Sequence, residues 1–299
     1  MQHDDYTALF EERRAFLTGL AYRMLGSLAD AEDAVQDTYL KWIGADRSSI
    51  ENHAAWLTTA CTRRCVDMLR SLHRTREDYI GIWLPEPVYT HADLTPEDAV
   101  EHASSLSMAF LLVLERLAPK ERAAYLLHEI FGRPYADVAA TLGVKEATCR
   151  KLVSRARAKI GHADGRNIVP VERQVLLLEA FKSAVKTGNI EKLAAMLSQD
   201  ITLSTDGGGK VPAQLGLLTG QSKVLDFVAA KLGSFWKTCQ WRPTAINGLQ
   251  GTLIHEQGKI IAAVGFSWDA AHNPDKILIV RNPEKLTRIE SPSCYMPLQ

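Results

Sequence analysis

Between residues 145 and 155 the chain places Lys145, Thr148, Lys151, Ser154 and Arg155, flanked by Arg150, Arg157 and Lys159. On a helix this spacing collects the first five along one face. Lysine and arginine neutralise phosphates and release counterions, which gives affinity without sequence choice. Hydroxyl, ammonium and guanidinium donors on the same face can also read base edges, because the major groove is wide enough to admit a helix. The chemistry expected here is DNA recognition. The alternative is a solvated basic face on an ordinary helix pair.

Two further sets are separated along the chain. Asp33, Gln36, Asp37 and Leu40 fall at i, i+3, i+4 and i+7 of one helix, an acidic stripe with an apolar end. Such a stripe either docks onto a basic helical partner or is merely solvated. Arg63, Arg64, Arg70, Arg74 and Arg76 surround a lone acid, Asp67. With Trp56 nearby, they could track separated DNA strands and accept unstacked bases, or simply favour a helix macrodipole. Trp56 itself reads as core. Cys61 and Cys65 lie one turn apart with His73 beyond, but no fourth ligand stands at zinc spacing. No cofactor or metal is expected.

The elements that must position these groups are helical up to about residue 163. Phe16, Leu20 and Met24, then Val35, Tyr39 and Trp42, keep helical period across residues 6–43; Gly26-Ser27 divides the run, with Asp30 as the expected cap of the second helix. A third helix is expected over His53–Arg76. Residues 77–99 hold Pro85, Pro87 and Pro96 among acids and read as a linker. Periodicity resumes over Val100–Leu117. Helices over Lys120–Phe131, Tyr135–Leu142 and Lys145–Ile160 follow, with Gly143 at a turn that needs positive φ. Cys149, Val153, Ala156 and Ile160 should be the buried face of the last. That order is the grammar of a helix-turn-helix.

Beyond Gly165 the texture changes. Helices over Val171–Lys186 and Ile190–Leu197 precede strand-like runs at Ile201–Thr205, Gly251–Glu256, Ile260–Trp268 and Lys276–Val280, with a helix at Lys223–Leu232 between them. Helices first, then a curved antiparallel sheet, predicts an α+β domain.

The 299 residues suit two or three domains, and net charge is zero. The distribution says more. Residues 119–162 hold nine Lys/Arg against four Asp/Glu, while residues 76–118 hold two against eight. A basic block beside an acidic linker points to a nucleic-acid partner for the former. No apolar run is long enough to span a bilayer, and the first residues lack the blocks of a signal peptide. Five cysteines in such a chain suit reduced thiols in the cytoplasm.

The run Tyr22–Gly26, Asp30–Asp37 and Trp42 resembles region 2 of the extracytoplasmic-function sigma factors. Glu121-Arg122, Tyr135–Ala139, Val144–Thr148 and Arg155–Arg157 resemble their region 4. Three further motifs, Trp83-Leu84-Pro85-Glu86-Pro87, Asp206-Gly207-Gly208-Gly209-Lys210 and Asn282-Pro283-Glu284-Lys285-Leu286, resemble the signatures of the subgroup with a C-terminal SnoaL-like extension. Glu284 departs from the aspartate usual there, keeping the charge on a longer arm.

The resemblance implies two all-α domains, a region 2 bundle over 1–76 and a region 4 helix-turn-helix over 100–163. An NTF2-like (SnoaL-like) α+β cone over 166–290 and a tail over 291–299 would follow. It implies that Asp33, Gln36, Asp37 and Leu40 bind core RNA polymerase at the β′ clamp helices, with a further contact to the β flap. Arg63, Arg64, Asp67, Arg70 and Arg74 would meet the −10 element. Lys145, Thr148, Arg150, Lys151, Ser154 and Arg155 would meet the −35 element. The three motifs would seat a built-in regulator in a protein that is monomeric when free and has no membrane partner.

The rival reading is a helix-turn-helix regulator whose C-terminal cone binds or transforms a small molecule. Its candidate groups are Asp206, His255, Asp269 and His272. Asp206 reads instead as part of a tight loop neutralised by Lys210, and the two histidines each stand alone. A small ligand that shifts the C-terminal domain between docked and undocked states stays open.

Overall fold

The computed structural model describes residues 3–90, 105–161, 167 and 169–289. These form two compact units. One takes in the described chain up to Glu77 and from Val113 to Gly161; the other takes in the described residues from Asp78 to Leu112 and from 167 to 289.

The first unit is all helical. Helices α1 (His3–Leu25), α2 (Leu28–Gly44) and α3 (His53–Glu77) bury Leu17, Leu20, Met24, Val35, Trp42, Leu57 and Cys61 against one another. The α1–α2 break falls at Gly26, with φ +69°. The cap of α2 is Ser27, whose hydroxyl accepts the Asp30 N–H at 3.3 Å; Asp30, expected to cap, sits inside the first turn. The serine wins because its backbone is extended there, the geometry a cap requires. Trp56, expected in the core, is only half-buried and packs its ring 5.5 Å from that of the buried Trp42. Cys61 and Cys65 are buried, and their shared hydrogen bond together with burial pushes the Cys65 thiol up. Among the described residues no three His, Cys, Asp or Glu side chains gather as a metal site would need.

The expected helix over Val100–Leu117 is α4 (Met108–Leu114); residues 100–104 lie outside the described ones. The expected helix over Lys120–Phe131 is α5 (Pro119–Tyr125) followed by a π turn, Leu126–Ile130, closed by the Phe131 N–H on the Leu126 carbonyl. Helices α6 (Tyr135–Leu142) and α7 (Glu146–Ile160) complete the unit.

The second unit is a six-stranded sheet covered on both faces. Its helices are α8 (Val171–Thr187), α9 (Glu191–Ala194), α10 (Gln221–Asp226), continued by a π turn over Phe227–Leu232, and α11 (Gly233–Trp236). Its strands are β1 (Thr202–Asp206), β2 (Leu218–Thr219), β3 (Gln240–Ile246), β4 (Leu249–Glu256), β5 (Lys259–Trp268) and β6 (Pro274–Val280), in the order β2-β1-β6-β5-β4-β3. The sheet is not wholly antiparallel: β1 runs parallel to β6, from Thr202 opposite Lys276 to Asp206 opposite Val280. Alternation along each strand explains the two layers. Ile254, Val264, Phe266, Ile277 and Ile279 face the helices and meet Phe181 and Trp236. Leu253, Ala263, Leu278 and Val280 face the other way and are covered by Leu84, Met108 and Leu286.

The segment expected to be a linker is therefore, over residues 79–90, part of this second layer. Leu84, Pro85, Glu86, Pro87 and Val88 are all buried. Thr90 donates its N–H to the Ala245 carbonyl and Asn247 donates its N–H to the Val88 carbonyl, which covers the outer edge of β3. Burying a leucine such as Leu84 is worth about 2 kcal/mol. The tail over 291–299 lies outside the described residues.

Candidate functional site

The helix-turn-helix is built by its turn. Gly143 has φ +62°, and its N–H and that of Val144 bond the Ala140 and Ala139 carbonyls, closing α6 with a Schellman motif. The chain then enters α7 through Lys145, whose backbone is extended. Cys149, Val153, Ala156 and Ile160 are the buried face of α7, and Lys145, Thr148, Lys151, Ser154 and Arg155 are all exposed. Among the described residues none of Lys145, Lys151 and Arg155 is ion-paired. The flanking bases differ: Arg150 is held by Glu146 at 2.6 Å, Arg157 by Glu129 at 2.7 Å and Lys159 by Glu121 at 2.6 Å. The unpaired charges thus lie along one stripe, and each flanking base has a carboxylate partner.

On α2, Asp33, Gln36 and Leu40 are exposed, Leu40 at 54%. Asp37 is half-buried and pairs with Arg64 at 2.6 Å, so the acidic stripe and the arginine cluster of α3 share one ion pair. Arg63 is engaged differently. Its guanidinium donates to the Thr141 carbonyl at 2.9 Å and the Ala140 carbonyl at 3.2 Å, at the C-terminus of α6, where a cation is favoured. Arg70 pairs with Asp67 at 2.9 Å, both well exposed. The side chain of Arg74 lies outside the described ones.

Sequence reasoning missed the ionic knot beneath these faces. Arg122, almost fully buried, donates to Glu115 at 2.7 Å and to the Met24 carbonyl at 2.7 Å. Arg76 pairs with the same carboxylate and donates to the Leu25 carbonyl. The two guanidiniums thereby cap the last carbonyls of α1. Burial opposes the Glu115 charge, but Arg122 and Arg76 more than offset it and hold its carboxyl below the usual range. Only the arginines carried any signal, since they stand at helix ends; the pairing spans too much sequence to be read.

In the second unit the three signature motifs meet at Asp206, which is fully buried. One carboxylate oxygen accepts from the Tyr79 hydroxyl at 2.5 Å and the Gly208 N–H at 3.0 Å. The other accepts from the Leu84 N–H at 2.9 Å and Lys285 Nζ at 2.7 Å. Its partner is Lys285, where sequence reading named Lys210; Lys210 instead pairs with the exposed Glu284, because the glycine turn carries its side chain outward. The Lys285 ammonium also lies over the Trp83 ring at 4.4 Å. Asn282 caps helix α12 (Pro283–Leu286) and donates Nδ2–H to the Tyr79 oxygen at 3.0 Å. Burial and the Asp206 carboxylate push the Tyr79 phenol well above its ordinary value, so it remains a donor. A side chain at Gly208 would meet Asn282 Nδ2 at 2.4 Å, at a φ of +62°, which explains the glycine.

The rival's four candidate groups are not brought together. Asp206 pairs with Val280 at one end of β6, while Asp269 and His272 share the turn before its other end, where Asp269 holds the Asn273 N–H at 2.7 Å. His255 lies on β4 near its β5 hairpin. An open depression of about 470 Å³, lined by Gln199, Thr219, Gln221 and Lys223 among others, contains none of the four. Among the described residues no helix is long and apolar enough to cross a membrane.

Known proteins resemble the chain in the same order. Residues 9–75 match the family described as Sigma-70 region 2, and residues 107–160 match Sigma-70, region 4. The chain is 39% identical over 228 residues to the ECF RNA polymerase sigma factor SigJ of Mycobacterium tuberculosis, covering 73% of this chain and 70% of that one. It is 33% identical over 220 residues to the probable ECF RNA polymerase sigma factor SigI of the same species, covering 73% of each. The crystal structure of M. tuberculosis SigJ superposes with a TM-score of 0.73 at 31% identity, over 94% of this chain and 98% of that one. With both sigma regions matched and the α+β extension shared, the chain belongs to the extracytoplasmic-function family of RNA polymerase sigma factors.

Proposed function

We propose that this sigma factor divides its work among three surfaces and a built-in regulator. Asp33, Gln36, Asp37 and Leu40 on α2 dock onto the clamp helices of the polymerase β′ subunit, and region 4 makes a further contact with the β flap. Arg63, Arg64, Asp67, Arg70 and Arg74 on α3 lie along the −10 element. Lys145, Thr148, Arg150, Lys151, Ser154 and Arg155 on α7 lie at the −35 element. The reading is one of binding, not catalysis, by a cytoplasmic protein that is monomeric when free.

The observation that carries this is the bare cationic stripe of α7 together with the exposed acidic stripe of α2. One is suited to DNA and the other to a basic helical surface. Arg63 supports a further point. Its Nε and Nη2 are held by the carboxyl end of α6, which leaves the Nη1 amine and one Nη2 hydrogen for a −10 contact. The C-terminal unit holds residues 79–90 firmly through Asp206, which suits a regulator on a short tether, where high effective concentration lets its other contacts be weak.

The test is binding of the full-length protein to core RNA polymerase, beside Asp33→Lys/Asp37→Lys. Tight binding by the parent and loss in the variant, with thermal unfolding unchanged, is the expected result. Equal affinity for both would remove the docking assignment.

A further inference from the structure

Resting on the placement of α7 at the −35 element, we propose that Arg150 reads a guanine of a G·C pair there, and that His128, Tyr135 and Glu146 are the positioning residues that aim it. Arg150 is the flanking base that is not simply neutralised. Its Nε and Nη2 both donate to one oxygen of Glu146, at 3.2 and 2.6 Å. Its guanidinium carbon lies 4.4 Å from the centre of the Tyr135 ring. That ring is stacked on the His128 imidazole, centroids 3.8 Å apart at 29°. His128 is fixed in turn by Nδ1, which donates to the Arg133 carbonyl at 2.8 Å.

The stack joins three elements of the motif. His128 comes from the π turn, Tyr135 is the first residue of α6, and Arg150 is on α7. The π turn matters because its extra residue shifts the helix face that carries His128. An exposed Glu–Arg pair four residues apart is ordinarily worth little and holds neither side chain still. Here an aromatic surface adds a second restraint, and a guanidinium on a ring face is a favourable contact. The pair is also next to the bare stripe Lys145, Thr148 and Lys151, not on a remote solvated face.

What the restraints leave free defines the ligand. Arg150 keeps its Nη1 amine and one Nη2 hydrogen as an outward donor edge. Guanine presents O6 and N7 as adjacent acceptors in the major groove, the pattern a guanidinium edge matches. The second oxygen of Glu146 is an acceptor beside that edge, and the cytosine of the same pair presents an N4 donor. An A·T pair offers a donor where guanine offers O6, which the guanidinium cannot use.

The experiment is transcription by the full-length protein with core polymerase from a promoter library randomised across the −35 element, scored for base preference at each position. Arg150→Lys should flatten a guanine preference at one position by roughly 10- to 100-fold and leave the other positions alone. Tyr135→Leu, His128→Ala and Glu146→Ala should flatten the same position to a lesser degree. Tyr135→Phe should restore what Tyr135→Leu loses, since the ring is kept. Uniform weakening at every position in Arg150→Lys would make it a phosphate contact and overturn the proposal, as would an unchanged profile in Tyr135→Leu. Lys151→Ala/Arg155→Ala separates the two levels. If it leaves output and profile intact, α7 is not at the −35 element and both readings fall; if it lowers output while the stack variants change nothing, only the stack is wrong.

Discussion

Each unit of the molecule is organised around one carboxylate, and the two are solved differently. Glu115 lies between two guanidiniums that also cap the end of α1, and it keeps 24% side-chain exposure. Asp206 is at 0% and takes one ammonium, one phenol and two backbone N–H groups, so every lone-pair direction is used. Two arginines around a glutamate leave an excess of positive charge, which water reaches through the partly exposed Arg76 and Glu115 and not through the buried Arg122. The aspartate is matched closely but has no solvent to fall back on. The lesson is that a wet ionic knot tolerates editing, whereas a dry, saturated one does not.

That contrast gives a ranked set of expectations. Asp206→Ala removes the partner of Lys285 and strands three further donors, and should destabilise the second unit by about 3–5 kcal/mol in urea unfolding. If Glu115→Ala, measured alike, costs the same or more, the comparison is broken. Gly208→Ala brings a Cβ against Asn282 at a left-handed φ and should cost about 1–3 kcal/mol in the same assay.

Acid should separate the units further. The Glu115 carboxyl is held below its ordinary value of 4.5, so its contribution is fully present above that pH and is lost as pH falls through the lower folded value. Unfolding followed below pH 4.5 should therefore show a pH-dependent loss that Glu115→Gln reduces, the remainder coming from Glu11 and Glu121, whose carboxyls are also held low by Arg14 and Lys159. An identical slope in parent and variant would remove Glu115 as its source. The smallest effect belongs to Asp37 and Arg64, both more than a third exposed. A double-mutant cycle on that pair should return about 0–1 kcal/mol of coupling, even though Asp37→Lys contributes to the expected loss of polymerase binding.

How much was legible in the sequence follows the range of the interactions. The helix-turn-helix was readable to within a residue at Tyr135–Leu142 and Gly143, because turn chemistry and periodicity are local. Strand β3 was not among the expected runs: Pro243 argues against a strand interior, and it is tolerated because the strand is at the sheet's edge. The parallel pairing of β1 with β6 leaves no mark in either strand. Residues 83–88 read as linker because two prolines and no period suggest one; only the unoccupied second face of the sheet explains their burial. The signature residues themselves were found by resemblance, but that Asp206 chooses Lys285 over its neighbour Lys210 depends on which way a glycine turn points.

The clasp at Asp206 also sets an order of events during synthesis. Its contributors are spread from Tyr79 to Lys285, so it cannot close until nearly the whole described chain has been made. The helical unit has all its described residues by Gly161, about 120 residues and on the order of 10 s earlier at typical elongation rates. For that interval the nascent chain carries both sigma regions with residues 79–90 unclasped, a state the finished protein does not revisit without breaking its most saturated buried contact.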